Sequence, residues 1–527
     1  MIALTYSVTL IGGMFLGYKF LKDQGYSFTR NAQFADNNAE KVDEIINLIN
    51  RNYVDEIDAG TLNHLEIDSL MHRLDPHSVY LPPIKATEQS DMLEGNFEGI
   101  GIEYYILKDT LLVTNVFKDG PAFQAGLKLG DKILKIDSVF VSGKHLAREK
   151  MIGRIKGKRG TPVQLLVMRS GTVAPTLLTI KRGRVNVSSI DAAYMLNTDA
   201  GYIRISEFGA NTDKDFITAV KTLKAAGMKK LVLDLRDNGG GYLTAATGLA
   251  NQILAENKLI VYTEGKHEPR TDYIATGGGE FEDGKLAVLI NENTASASEI
   301  LAGAVQDLDR GVIIGRRSFG KGLVQEQFPF GDGSAVNLTI ARYYTPLGRS
   351  IQKSYKKGYI AYQNEIEDRF NDGELTTEKP VVQKDTVKKN LAFITGAGKK
   401  VFAGGGIQPD VYIKMDTVGM NKFYGVLLTK KVLFDYVFDI LANRYTAAYL
   451  EHNLATFSIS EADYKDFVKY IQTKNIVVDQ KQLAAAKPIV YNDLKALLYK
   501  YHLGEAGYYR ALNLNDSMVK QAIQSLQ

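Results

Sequence analysis

The sequence predicts a multidomain α+β protein: an N-terminal helical segment, a β-rich module, an α/β core and a helical C-terminal region. Three observations carry that prediction. The chain has 527 residues, more than one hydrophobic core accommodates, so roughly three or four domains are expected. Its apolar period switches from helical to strand-like near residue 95 and returns to helical at Asn421. Between about 185 and 415, short apolar runs such as Leu231–Leu235 and Leu286–Ile290 are each followed by a loop and a helical pattern, as in α/β crossover units.

Composition narrows the function classes. Hydrophobic residues make up 45% and charged residues 24%, as in ordinary folded proteins. Lys and Arg number 64 against 60 Asp and Glu; the formal charge of +4 gives no case for nucleic-acid binding on so long a chain. The absence of cysteine removes thiol catalysis, disulfides and thiolate metal sites. It is compatible with an oxidising compartment.

Residues 1–20 read as a membrane anchor or export signal. The first 18 residues, Met1 to Tyr18, carry no charge and run into Lys19 and Lys22. A buried N-terminal helix is the alternative. No basic residue precedes the run and no A-x-A site follows it, which argues against a cleavable signal peptide. The expectation is an exported protein of the periplasm or cell envelope, with this segment as a membrane tether. Residues 35–90 form the N-terminal helical region. Val42, Ile45, Ile46 and Ile49 share one face, and Pro76 ends the helix. Within the core at 185–415, residues 355–400 are rich in Lys, Glu and Asp and read as an exposed insertion. Residues 416–527 are helical. Phe434, Val437, Phe438 and Leu441 mark one apolar face there, and Ser460 with Asp463 has the spacing of an N-cap and its acidic partner.

The β-rich module spans 91–184. It contains, in order, Phe97-Glu98-Gly99-Ile100-Gly101-Ile102, Gly120-Pro121-Ala122-Phe123-Gln124-Ala125-Gly126-Leu127 and Gly130-Asp131-Lys132-Ile133-Leu134. Glycines let several backbone N–H groups converge on one spot. Such a nest, here Gly99, Ile100, Gly101 and Ile102, can hold a peptide's terminal carboxylate while the adjacent strand edge pairs with its backbone. The three ordered segments resemble a PDZ domain, which implies protein or peptide partners with free C-terminal tails. A PDZ-like domain that only packs against its neighbour is the alternative. Glu98 beside the nest would oppose a carboxylate if it pointed inward, which leaves the peptide's polarity open.

In the core, Asn293-Thr294-Ala295-Ser296-Ala297-Ser298-Glu299-Ile300 follows an apolar run and opens a helical pattern through Asp307. Ser296 therefore falls at or near a helix N-terminus, where unpaired N–H groups favour negative charge and an oxyanion. Ser and Thr also simply cap helices, so this segment alone does not decide between cap and nucleophile. Only His267 of the seven histidines lies in the α/β region, so a Ser-His-Asp triad is poorly supplied. Gly320-Lys321-Gly322 offers a lysine instead. That amine is a usable base once burial lowers its pKa from ~10.4 towards ~7–8; alone, such a tripeptide is usually a solvated turn.

Taken together, Thr294-Ala295-Ser296-Ala297-Ser298-Glu299 with Lys321 and Gln325 downstream resembles the C-terminal processing peptidases, or tail-specific proteases. Leu74-Asp75-Pro76-His77-Ser78-Val79-Tyr80-Leu81, Asp234-Leu235-Arg236-Asp237-Asn238-Gly239-Gly240-Gly241, Tyr344-Thr345-Pro346-Leu347-Gly348-Arg349 and Gly406-Ile407-Gln408-Pro409-Asp410 resemble further motifs of that family, in order over about 40–415. The resemblance implies an α/β peptidase core of the crotonase-like type. It assigns Ser296 as nucleophile, Lys321 as general base and Gln325 as the residue that orients the lysine. On a straight strand those last two would stand about 13 Å apart, so the backbone must bend, and Gly322 permits it. The oxyanion is expected on the N–H of Ala297 and an N–H from Gly240 or Gly241.

The function so implied is a serine endopeptidase cleaving exported proteins near their C-terminal tails, with no metal or cofactor. The expected assembly is a homo-oligomer, a dimer among its forms. Gly239 stands where the family often has proline, and the helices after 420 lie outside the common family core. Two rivals stand beside this reading: a non-catalytic PDZ peptide-binding scaffold, and an acyl-CoA enzyme on a related core.

Overall fold

The computed structural model describes residues 59–378 and 392–527, apart from 108, 119, 144–147 and 170. The apolar run at 1–18 and the face at Val42–Ile49 lie outside the described residues. The chain forms two compact units, 1–70 and 71–527. A helix, Ala59–Leu74, ends where Asp75-Pro76 was expected to stop it.

The second unit is a mixed α/β assembly. Its central six-stranded sheet runs Ile190–Met195, Ala200–Ile205, Lys230–Asp234, Lys285–Ile290, Val312–Gly315 and Val411–Tyr412. All pairs but the first are parallel. Alternate residues face opposite ways, as the period of two requires. Ile203, Leu231, Leu233, Val288 and Ile313 enter one core under the helices Thr212–Ala225, Leu243–Ala250 and Ala297–Asp307. Tyr202, Val232, Ala287, Leu289 and Ile314 enter another, closed by Met518, Val519 and Ala522 of the last helix, Ser517–Ser525. Both faces are thus covered, which is why these strands read as apolar runs. Each fully buried Leu or Ile contributes about 1.5–3 kcal/mol. The C-terminal helices therefore complete the core.

A second sheet is antiparallel, and periodicity did not announce it. Its order is Val79–Leu81, Ala335–Tyr344, Leu259–Glu264 and Thr271–Ile274, with Leu323–Pro329 also on Ala335–Tyr344. Val79–Leu81 lies within the stretch read as helical. It is too short to show a period, and its register with Asn337–Ala335 comes from long-range pairing. Helix then resumes at Pro83–Glu94, with proline at its first turn.

The insertion expected to be exposed at 355–400 is largely so over its described part, with Lys356, Lys357, Glu367, Asp368 and Asp372 exposed, but it is anchored by buried residues. Its two short helices, Tyr359–Gln363 and Glu365–Asn371, and the turn after them bury Tyr362, Arg369, Glu374 and Leu375. Charges on its inner side are paired: Arg317 with Glu374 at 2.7 Å, Arg369 with Glu374 at 3.0 Å and Lys353 with Glu365 at 3.1 Å. Composition reports charge, not whether a partner neutralises it.

The β-rich module is a six-stranded antiparallel sheet with Ile102–Leu107 at one edge. A short helix, Pro121–Gln124, follows Gly120, and Gly126, Gly130 and Gly160 take positive φ in the turns. Helix Arg148–Ile155 has no counterpart in the sequence reading. Leu107 and Leu112 of this sheet join the apolar core of the C-terminal helices, and Tyr105 meets Phe434 at 4.6 Å between ring centres. Val437, Phe438 and Leu441 are buried there, as their spacing predicted. Ser460 caps Glu461–Thr473, accepting from the Asp463 amide.

Candidate active site

Ser296 stands where strand Lys285–Ile290 turns into helix Ala297–Asp307. Thr294 fixes the turn: its hydroxyl donates to the Leu235 carbonyl at 2.8 Å and accepts from the Asn291 amide at 2.9 Å. Ser296 is half-buried, with φ +56°, a region that a residue with a side chain seldom enters. The surrounding bonds hold it there.

The principal holder is Glu299, one turn into the helix and fully buried. Its Oε2 accepts from the amides of Ser296 and Lys321, each at 2.9 Å. Its Oε1 accepts from the Gly320 amide at 2.7 Å and the Ser318 hydroxyl at 2.5 Å. One carboxyl oxygen thus ties together the backbones of the two residues singled out by sequence. Tyr343, also buried, shares its hydroxyl proton between the carbonyls of Ser296, at 3.1 Å, and Lys321. Burial pushes the Glu299 carboxyl up to about 7, against its four donors.

Lys321 sits in the Gly320–Gly322 turn ahead of strand Leu323–Pro329. Burial lowers the pKa of its amine, and the nearby charges of Asp75 and Glu299 partly oppose that shift. Asp75 is itself buried; it accepts from the amides of His77 and Ser78 at 2.8 and 2.9 Å and from the Ser78 hydroxyl at 2.7 Å. His77 is pushed down to about 3, by burial first and by Lys321 second, so it is neutral. It lies 2.7 Å from the Tyr362 hydroxyl. Among the described residues Lys321 Nζ and Ser296 Oγ share no hydrogen bond.

Gln325 donates from its side-chain amide to Thr339 Oγ1 at 3.1 Å, not to Lys321. The strand does bend, but at an irregularity between Val324 and Gln325 rather than at Gly322 alone. Thr339 in turn donates its amide to Ser78 Oγ at 3.1 Å, which links Gln325 to Asp75.

The two glycines left open as oxyanion donors differ. The Gly240 amide is occupied by Asn238 Oδ1 at 2.8 Å, while the Gly241 amide has no partner among the described residues. Ala297, first in its helix, likewise keeps its N–H free there. Gly240 serves by lacking a side chain. At φ +104°, a Cβ would stand 2.7 Å from Ser296 Cβ and 2.9 Å from Ala297 N. Gly240→Ala is therefore expected to lower kcat about 100-fold or more by displacing the serine. Steady-state kinetics beside a thermal melt checks this. Gly239 has open space around it and an ordinary φ, consistent with proline at that position.

In the β-rich module, a groove of about 320 Å³ runs past Gly99, Ile100, Gly101 and Ile102, between the edge strand and helix Arg148–Ile155. Glu98 does not enter it: its carboxylate accepts from the Arg159 amide at 3.2 Å.

Sequence reasoning quoted Glu299, Asp75 and His77 only as letters of motifs and missed Tyr343. A glutamate three residues after a serine was a usable signal, since that spacing reaches back to the N-cap amide.

Peptidase family S41 matches residues 199–360, a PDZ domain matches 99–179, and a family of unknown function matches 423–504. These matches define a serine-type peptidase that carries a PDZ domain. A carboxy-terminal-processing protease of Bartonella bacilliformis is 35% identical over 350 residues, covering 66% of this chain and 80% of that one. The carboxy-terminal processing protease CtpB of Bacillus subtilis is 32% identical over 345 residues, covering 65% and 71%. The chain belongs to the carboxy-terminal processing protease family.

Proposed function

We infer that this peptidase cuts exported proteins near their C-terminal tails, with Ser296 as nucleophile and Lys321 as general base. The observation that carries this reading is the shared Glu299 oxygen, which brings the two amides to 2.9 Å of one atom. Neutral Lys321 takes the hydroxyl proton as Ser296 Oγ bonds to the scissile carbonyl carbon. The resulting oxyanion is held by the amides of Ala297 and Gly241. Lys321 then protonates the leaving amine as the C–N bond breaks, and water releases the acyl group with the roles reversed. Gln325 orients the amine in the substrate-bound state, its amide leaving Thr339.

The PDZ groove captures the tail, its edge strand pairing with the peptide backbone. The parallel sheet covered on both faces supports a core of the crotonase-like type. Export rests on the uncharged run Met1–Tyr18. Among the described residues no helix is long and apolar enough to cross a membrane. A homo-oligomer remains the expected assembly, read by sedimentation.

A serine-reactive phosphonate, followed by peptide mass mapping, tests the assignment. The label is expected on Ser296 in the intact protein and at a rate lower by about 100-fold or more in Lys321→Ala. Labelling at another serine, or at an unchanged rate in the variant, overturns it.

A further inference from the structure

The groove beside strand Ile102–Leu107 has an apolar floor, including Ile102, Ile152 and Ile155. Among the described residues its polar lining is unbalanced. Glu88 and Asp91 of helix Pro83–Glu94 and Glu207 of the peptidase core face it, against Lys156. Glu207 stands out among the three. Its Oε2 is enclosed by protein and has no hydrogen-bond partner among the described residues. Burial, and then the charge of Asp191, hold its carboxyl above the ordinary glutamate range. A buried carboxyl oxygen without a donor is costly, and a cation held in the groove that Glu207 lines would offset the charge of the same carboxylate through space.

Its position matters as much as its charge. The next residue, Phe208, donates its amide to the Gly240 carbonyl at 2.9 Å and accepts from the Tyr242 amide at 2.8 Å. Glu207 thus joins the groove to the loop that presents the Gly241 amide.

We propose that the groove selects tails carrying a lysine or arginine upstream of an apolar C-terminal residue, with Glu207 as the group that receives the cation. This rests on the tail-capture reading above. The apolar floor takes the terminal side chain, the edge strand takes the backbone, and the acidic lining takes the upstream charge. The residue that reads the cation is thus the chain neighbour of Phe208, which bonds the oxyanion loop.

The test uses the full chain carrying Ser296→Ala, so that peptides are bound without being cut. Labelled peptides ending in an apolar residue carry either lysine or the uncharged norleucine at each of the four positions before it, and binding is read by fluorescence anisotropy. At one position lysine is expected to bind about tenfold tighter, the size of one charge-assisted hydrogen bond. Adding salt is expected to shrink that ratio. Glu207→Gln is expected to abolish it, and Glu207→Lys to favour glutamate peptides instead. Equal binding of lysine and norleucine peptides overturns the proposal and leaves tail capture standing, as does a preference that survives Glu207→Gln. Binding of neither peptide overturns tail capture, and this proposal with it.

Discussion

Lys321→Ala is expected to lower kcat/KM about 10,000-fold while leaving the thermal midpoint unchanged or raised. The kinetic loss follows from removing the only proton acceptor assigned to Ser296. Ser296→Ala is expected to lose as much, and the double variant no more than either alone, because the two act as a unit. The stability result has the opposite sign for a physical reason. Burial depresses the amine's pKa below its ordinary 10.5. The fold therefore binds that proton less tightly than the unfolded chain does. The stability linked to a depressed pKa is present above the unfolded value and is lost as pH falls through the folded one. At neutral pH the amine subtracts stability, and removing it restores some. Peptide-cleavage kinetics and a melt on the same samples separate the two effects.

The pH profile follows from the same groups. Activity is expected to rise with pH as Lys321 loses its proton, through a pKa below 10.5. Asp75 opposes the depression, so Asp75→Asn lowers the lysine pKa further. The rising limb of kcat/KM is expected to move to lower pH in that variant. The asparagine keeps an acceptor for the amides of His77 and Ser78 that Asp75 now serves. A limb that stays in place, or moves upward, would show that Asp75 does not act on Lys321 through its charge.

Glu299→Ala is the second large effect. It removes the acceptor for the amides of Ser296, Gly320 and Lys321 and for the Ser318 hydroxyl. Buried donors left without acceptors cost about 1–3 kcal/mol each. Some will find other partners, so a loss near 4 kcal/mol is expected in urea unfolding. A fall in kcat/KM of about 1,000-fold is expected with it, because Ser296 and Lys321 lose their common anchor. Glu299→Gln keeps one acceptor oxygen and should fall between. Burial raises the Glu299 pKa from 4.5 to about 7. Stability linked to a raised pKa is present below the unfolded value and is lost as pH rises through the folded one. The wild-type midpoint should therefore decline between pH 4.5 and 7 relative to Glu299→Gln. A parallel pH dependence in the two proteins would remove Glu299 from that account.

Much of the site was legible from local chemistry. Ser296 at a helix start follows from small residues between an apolar run and a helical period. The glycine turns of the PDZ domain, the Ser460 cap and the apolar face of Val437, Phe438 and Leu441 are similarly local. Each is a relation within one turn of helix or one hairpin, and periodicity and capping preferences act over that range.

The chain's own sequence therefore determined which residues stand as candidates to react: a serine at a helix N-terminus and a lysine between glycines, in a chain poor in core histidine. Tertiary structure decided what surrounds them. It brought Asp75 and His77 beside Lys321, paired Gln325 with Thr339 and occupied the Gly240 amide with Asn238. It buried Arg369 and Glu374 within the charged stretch after 355 and used the last helix to close the sheet. These outcomes depend on long-range packing and on which buried charges find partners. No local pattern of residue types encodes that, since desolvation and Coulomb interactions act through space and not along the chain.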